Sequence, residues 1–304
     1  MAEISRRKQT RMTMDWLTDL TPLFSDPCRQ FVLLARQAPV GVVMRTGPSK
    51  WWHLALWDTR RDRFTSGQWF HGSVYPRKCD LAPDGTLFSY FAGKFRCKDQ
   101  ESGYGLTWIA VSRPPYFTAL ALWPVGDTWG GQTAFMDDGT FHAGTLKAHH
   151  PDHPPGPLHA VLHSYLNLDD PFLRSFPWER TGWKSISQPD HVKKTSYFDP
   201  RLAAWRKKVG GLCLQRATDR GEEMFLSRRR SRYTIFKGDE RTELAGFEAH
   251  WADFDQRGRL VAAVGGRILE GKIDRHHGLR WRQLAAFQDQ KPERMEPLEW
   301  AARW

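Results

Sequence analysis

The stretch DLAPDGTL, residues 80–87, decides the fold because it has the composition of a strand, a tight turn and a second strand. The chain must reverse at Asp84 and Gly85, where an aspartate can hydrogen-bond nearby backbone and glycine accepts a positive φ. The same phrase returns as FMDDGTF at residues 135–141 and as DFDQRGRL at residues 253–260. A degenerate copy without the glycine, FDPRL, occupies residues 198–202. The repetition predicts a series of β-hairpins.

The spacing of the turn glycines indicates a long repeat. The interval from Gly139 to Gly258 is about twice the interval from Gly85 to Gly139, and the degenerate copy falls near its middle. A repeat of about 55 to 60 residues suits four-stranded blades with long loops. The chain after its N-terminal segment has room for about five such units.

Short apolar runs bounded by turn residues predict many strands and few helices. The clearest strand candidates are residues 42–44, 54–57, 87–91, 107–111, 119–123 and 260–264. Helices are expected only at residues 158–166, at residues 200–208 and near the N-terminus, where residues 15–20 and 31–35 suggest one or two short ones. The predicted organisation is a basic arm with a short helical cap (residues 1–39), a single β domain (residues 40–290) and a C-terminal tail (residues 291–304) that docks on the domain.

These segments resemble part of a β-propeller blade of the WD-repeat type. Residues 80–91 are similar to the first two strands of a blade, and LALWD at residues 54–58 is similar to a third strand that ends in the Trp-Asp pair. Only one Trp-Asp pair stands in that position and no Gly-His marks the blade starts, so the resemblance is to the superfamily and to no specific family. It implies a mainly all-β fold, a propeller of about five four-stranded blades. Such folds serve as scaffolds and as enzymes.

Composition bears on the partners and the cellular compartment of the protein. The chain has 304 residues with a net charge of +11, which favours an acidic partner or nucleic acid. Four cysteines without a C-x-x-C spacing predict reduced thiols. No stretch reaches the roughly 18 apolar residues of a membrane span. We therefore expect a cytoplasmic protein.

A histidine-rich segment, residues 142–163, is the strongest local anomaly. Neutral imidazoles bind divalent metals well, and two histidines four residues apart share one face of a helix. The candidate metal ligands are His149, His153, His159 and His163. The four prolines of the same segment favour a solvated loop instead. No other cofactor is predicted.

Six aspartates form the acidic candidates for hydrolysis. Paired carboxylates perform the acid–base work of glycoside hydrolysis, and five-bladed propellers include such enzymes. The candidates are Asp137, Asp138, Asp169, Asp170, Asp253 and Asp255. Turn geometry already explains Asp137 and Asp255, and the Asp169-Asp170-Pro171 stretch is typical of a turn.

Basic residues interleaved with aromatic ones form a third group of candidates. Arginine fits phosphate geometry and aromatic rings can stack on bases, so these residues suggest nucleic-acid binding. They are Arg206, Lys207, Lys208, Arg228, Arg229, Arg230, Arg232, Arg280, Trp281 and Arg282. The alternative is that they are solvated loop tips scattered around the domain.

The absence of a complete catalytic motif favours a non-enzymatic recognition or scaffold module that binds a protein partner through propeller loops. Two other hypotheses stay open. One is nucleic-acid association through the basic C-terminal half, and the other is a metal- or carboxylate-dependent hydrolase.

Overall fold

The computed structural model describes residues 17–18, 20, 28–47, 49–95, 104–167, 170, 172, 179–186, 204–217, 230–238, 242–274 and 276–304. These residues form an all-β structure with five sheets. All strand pairs are antiparallel except one, between the last two strands of the third sheet. The all-β prediction is confirmed at this level.

The first two sheets follow each other along the chain. The first sheet runs in the order β1 (Arg29–Leu34), β2 (Val40–Thr46), β3 (Trp51–Asp58) and β4 (Arg63–His71). The second contains β5 (Ser73–Val74), β6 (Asp80–Leu81), β7 (Phe88–Gly93), β8 (Thr107–Ser112) and β9 (Ala121–Pro124). Both β5 and β6 pair with β7.

The remaining three sheets complete the structure. The third contains β10 (Thr133–Phe135), β11 (Phe141–Ala143) and β12 (Ala160–Leu162). The fourth contains β13 (Lys184–Ser185), β14 (Ala204–Val209), β15 (Leu212–Ala217), β16 (Ser231–Lys237) and β17 (Glu243–Ala249). The fifth contains β18 (Trp251–Phe254), β19 (Leu260–Val264), β20 (Arg267–Asp274) and β21 (Gly278–Ala286). Short 3-10 turns lie at Pro76–Lys78 and Glu179–Thr181, and a short helix, α1, lies at Glu299–Ala302.

The repeated turn phrase forms the expected hairpins, β6–β7, β10–β11 and β18–β19. The three turn glycines have φ values of +77°, +86° and +73°, which glycine tolerates without a Cβ clash. A carboxylate in each turn accepts a backbone N–H two residues on, from Thr86, Thr140 and Arg257. The local chemistry of the turn therefore sets where the chain reverses.

Apolar side chains join the sheets to one another. Val42 and Tyr90 belong to a buried cluster between the first and second sheets, and a second cluster joins the second and third sheets. Trp205 and Trp281 lie in the cluster between the fourth and fifth sheets. The fifth sheet also packs on the first, where Trp57 joins a cluster with residues of β19. Strands β1, β6 and β18 of the first, second and fifth sheets lie close together, because β1 contacts both β6 and β18.

Three of the predicted helical segments contain strands instead. Residues 31–35 belong largely to β1, whose Phe31 and Val32 pair with Met44 and Val43 of β2. Residues 158–166 contain β12, and β14 begins within residues 200–208. Pairing with a neighbouring strand overrides a weak local preference for helix in segments this short. The N-terminal arm and parts of the predicted cap lie outside the described residues.

The C-terminal tail contacts the body through its tryptophans. Trp300 lies edge-on to Tyr116 with 5.8 Å between ring centroids. The indole Nε1 of Trp304 donates to the carbonyl of Pro154 at 3.2 Å. Both side chains keep a large exposed surface. In the part of the chain that the structure describes, no helix has the length and apolar character to cross a bilayer.

Candidate functional site

A cavity of about 430 Å³ opens between the first, second, fourth and fifth sheets. We call it the inter-sheet pocket. Its walls are β1, the segment from Tyr75 to Asp80, the 3-10 turn before β13, parts of β14 to β16, and the stretch from His250 to Gln256. Pockets of this size, with apolar and aromatic walls and a few convergent polar groups, are typical of small-molecule sites.

Among the described residues, Asp80 on β6 is one of three buried carboxylates that line the inter-sheet pocket, together with Asp253 and Asp255. Its Oδ2 accepts the backbone N–H of Phe135 at 2.8 Å and lies 3.5 Å from the guanidinium of Arg180. Burial raises the pKa of this carboxyl, although Arg180 and Arg36 oppose the shift. A carboxyl with a raised pKa is suited to holding and donating a proton near neutral pH.

Asp253 on β18 is the second buried carboxylate. Its Oδ1 lies 2.7 Å from the Nζ of Lys207, and its Oδ2 accepts the indole N–H of Trp183 at 3.1 Å. Burial raises the pKa of this carboxyl as well, against the opposing charge of Lys207. The ammonium is in direct contact, so the carboxylate has a charged partner on one oxygen and a neutral donor on the other.

The two carboxylates occupy the same position of the repeated turn phrase. Asp80 stands five residues before Gly85, and Asp253 stands five residues before Gly258. For the second copy, at residues 135–141, Ala134 takes this place before Gly139. The position lies on the strand that enters the hairpin, so the repeat presents two carboxylates to one pocket from two different sheets. Asp80 was not among the residues singled out by sequence, and this alignment is the signal that could have identified it.

Aromatic and imidazole groups complete the polar part of the inter-sheet pocket. The hydroxyl oxygen of Tyr233 accepts the N–H of Ala252 at 3.1 Å. Burial lowers the pKa of His250 to about 4, with Arg230 and Arg29 adding to the shift, so its ring is neutral near pH 7. The indoles of Trp183 and Trp251 also line the cavity.

The other acidic candidates have different roles. Asp255 supports its turn and forms an ion pair with Arg259 at 2.8 Å, as turn geometry predicts. The turn of the second copy is supported by Asp138, whereas Asp137 reaches Arg36 at 3.0 Å. Asp169 lies outside the described residues.

The histidine-rich segment contains a short relay but no visible metal centre. The Nδ1 of His142 lies 2.8 Å from the Nε2 of His163, whose Nδ1 lies 2.6 Å from Asp170. His153 instead packs near Tyr104. Among the residues that the structure describes, no three histidine, cysteine or acidic side chains are arranged to hold a metal ion. His149, His153, His159 and His163 are thus not gathered into one such group.

The candidate nucleic-acid residues lie on two sheets and have varied surroundings. Arg206 donates a hydrogen bond to the side chain of Gln215 on β15. Lys207 lines the inter-sheet pocket, where it contacts Asp253. Arg282 forms an ion pair with Glu270, and Trp281 is buried in the core and therefore cannot stack on a base. Lys208, Arg230, Arg232 and Arg280 lie on or beside β14, β16 and β21, whereas Arg228 and Arg229 lie outside the described residues.

Comparison with known proteins gives only distant structural neighbours. No protein family and no curated protein matches the chain. The uncharacterized protein lmo1340 from Listeria monocytogenes EGD-e is similar over 88% of this chain and 86% of its own, at 8% identity and a TM-score of 0.28. The GH43 BlXynB protein from Bacillus licheniformis is similar over 88% of this chain and 57% of its own, at 8% identity and a TM-score of 0.32. No WD-repeat assignment is supported.

The leading functional prediction needs correction. The prediction of a non-enzymatic recognition or scaffold module finds no support in the comparisons, and we do not retain it. It relied on the absence of familiar catalytic motifs, and carboxylates that are brought together from distant parts of a chain produce no such motif.

Proposed function

We propose that the protein is a carboxylate-dependent glycoside hydrolase whose active site is the inter-sheet pocket. The observation that carries the proposal is the pair Asp80 and Asp253, two buried carboxylates that line one cavity from two sheets. Glycoside hydrolysis requires one carboxyl group that donates a proton and a second that acts from the other side of the scissile bond.

We also propose that the five sheets are the blades of a five-bladed propeller. The packing of the fifth sheet on the first supports it, as does the convergence of β1, β6 and β18 on the inter-sheet pocket. In such a ring the opening strand of each blade faces the axis, where ligands bind.

The surroundings of the two carboxyls divide the roles between them. Asp253 is in direct contact with Lys207, which stabilises its ionised form, so it acts as the general base. Asp80 has no cation in such close contact, since the guanidinium of Arg180 lies 3.5 Å away and Arg36 acts from farther off, and we assign Asp80 as the general acid. In the reaction Asp80 gives its proton to the glycosidic oxygen as the C–O bond breaks. Asp253 takes a proton from the water that attacks the anomeric carbon. The protein thus gives up one proton and takes up one.

The apolar part of the pocket suits a sugar. Trp251, which is partly exposed, offers a flat surface for the apolar face of a pyranose or furanose ring. The buried Trp183 donates to Asp253 and so fixes the orientation of this carboxylate beside the sugar.

The test is hydrolysis of a panel of aryl glycosides and oligosaccharides by the wild type, Asp80→Asn and Asp253→Asn. We expect each variant to lower kcat by about 10²- to 10⁴-fold, as is usual for loss of an acid or a base. The matched control is Asp84→Asn, which changes a turn carboxylate whose bond to Thr86 an asparagine can preserve. Activity that survives both pocket substitutions, or no hydrolysis of any glycoside by the wild type, would overturn the proposal.

A further inference from the structure

The lining of the inter-sheet pocket carries more positive than negative side chains. The basic ones are Arg36, Arg77, Lys78, Arg180, Lys207 and Arg216, and the acidic ones are Asp80, Asp253 and Asp255. Asp255 is also engaged by Arg259 outside the pocket, at 2.8 Å. A cleft lined mainly by one sign of charge concentrates ligands of the opposite sign.

Arg36 and Arg180 form one corner of this lining. The Nη2 of Arg36 donates to the carbonyl of Phe135 at 2.7 Å, and the Nη2 of Arg180 lies 3.5 Å from the carbonyl of Thr133. Both guanidinium groups are therefore fixed on the same edge of β10, two residues apart. Their side chains are only 14% and 16% exposed. Two like charges are thus held near each other in a partly buried place.

The two cations share a single buried carboxylate among the described residues of this corner. Asp80 is the buried carboxylate, and its charge acts on both arginines. The other acidic partner of Arg36 is Asp137, whose side chain is 71% exposed and therefore well screened by water. Burial lowers the pKa of the Arg180 guanidinium and repulsion by the charge of Arg36 adds to the shift, whereas Asp80 and the exposed Glu179 oppose it. An additional anion in this corner would relieve that repulsion.

One N–H donor of Arg180 also lacks an acceptor among the described residues. Its Nε is buried and has no hydrogen-bond partner among the described residues. A guanidinium offers parallel N–H groups that match the oxygens of a carboxylate, sulfate or phosphate. The corner lies beside Asp80, the proposed proton donor, so an anionic group held there belongs to the same ligand.

We infer that the substrate is an acidic sugar, whose carboxylate, sulfate or phosphate group is held by Arg36 and Arg180. That the ligand is a sugar rests on the proposed function, whereas that it is an anion rests on the pocket alone. The two parts can be tested separately.

The anion part is tested with inorganic phosphate and sulfate, added at constant ionic strength against chloride. We expect a saturable rise in Tm of about 2 to 4 °C at ten times Kd. Arg180→Lys keeps the charge but not the parallel donors and should weaken binding by about ten-fold. Arg180→Gln should abolish the effect, and Arg294→Gln, at a 90% exposed site, should leave it unchanged. The anion site is excluded if the wild type shows no saturable effect, or if both Arg180 variants respond as the wild type does.

The sugar part is tested with oligogalacturonate and its methyl ester, and with sulfated and desulfated forms of one oligosaccharide. We expect binding or hydrolysis of the acidic form in at least one pair, with inhibition by phosphate. Hydrolysis of neutral sugars only, unaffected by phosphate, would overturn the inference while the proposed function stands. Anion binding that Arg180→Gln abolishes, without hydrolysis of any glycoside, would refute the proposed function and leave the anion site in place.

Discussion

The Nζ of Lys207 lies 2.7 Å from the Oδ1 of Asp253, and this ion pair joins the fourth sheet to the fifth inside the wall of the inter-sheet pocket. Both side chains are largely removed from water, at 14% and 9% exposure. Trp183 donates to the other carboxylate oxygen, so the orientation of the carboxylate is fixed from two sides. Removing one partner of such a pair leaves a buried charge without compensation.

The first prediction concerns this ion pair. Lys207→Met should destabilise the fold by about 3 to 5 kcal/mol, because Asp253 would keep its burial and lose its cation. The pKa of Asp253 should rise further, and since a general base must be ionised, the acidic limb of the pH–kcat profile should move to higher pH. Urea unfolding and a pH–rate profile measure the two effects. Lys207→Arg retains the charge and should show a smaller change in both; equal effects for the two variants would contradict this account.

The second prediction is a loss of stability in mild acid. Burial lowers the pKa of His53 and of His250 to about 4, against an ordinary value of 6.5. Below pH 6.5 the two histidines bind protons in the unfolded chain but not in the folded chain. Their contribution to the free energy of unfolding is therefore fully present above pH 6.5. It is lost as the pH falls toward 4, by up to about 3 kcal/mol for each histidine.

Unfolding free energies measured between pH 7 and 4 test the acid prediction. Replacing both rings, as in His53→Gln with His250→Gln, should flatten the dependence in this window. The matched control is His276→Gln, at an exposed turn, and it should leave the curve of the wild type unchanged. The same slope in the double variant would exclude the two buried rings as its source.

The hairpins could be predicted from sequence because their signal is local. Asp84 accepts the backbone N–H of Thr86, and Gly85 adopts the positive φ that the turn requires. Neither feature depends on distant residues. The strand β1 was missed for the opposite reason. Its Val32 and Leu34 become strand residues through pairing with β2 and packing on other sheets, which no short stretch of sequence records.

The candidate site was only partly accessible from sequence. Asp253 was among the acidic candidates, and Lys207, predicted as a nucleic-acid contact, forms an ion pair with a carboxylate of the same chain. Asp80 and Arg180 lie far apart along the chain and meet only because β6 and the turn before β13 border one cavity. Aligning the copies of the turn phrase on their glycines would have brought out Asp80, because the repeat places it and Asp253 in the same strand position.

The third prediction tests close packing beside β4. A Cβ at Gly67 would lie 2.0 Å from the carbonyl oxygen of Pro115, too close for any adjustment of a side chain to relieve. Gly67→Ala should therefore cost about 3 kcal/mol or more in unfolding free energy, the upper range of overpacking effects. Gly246→Ala is the matched control, because a Cβ there has no contact closer than 3.8 Å. It should be neutral or slightly stabilising, and similar losses in the two variants would contradict the packing argument.

The last prediction is that hydrolysis inverts the configuration of the anomeric carbon. Both oxygens of Asp253 are already engaged, one by Lys207 and one by Trp183, which disfavours direct attack on the sugar but leaves lone pairs that can accept a proton from water. Asp80 and Asp253 also belong to strands of two different sheets, β6 and β18, which both contact β1. We therefore expect the two carboxyls to stand far enough apart for a water molecule between sugar and base. Proton NMR of the first product formed should show the inverted anomer. A retained anomer, or a covalent glycosyl adduct trapped on Asp253, would make this residue a nucleophile and would require the two carboxyls to stand closer together than the general-base role allows.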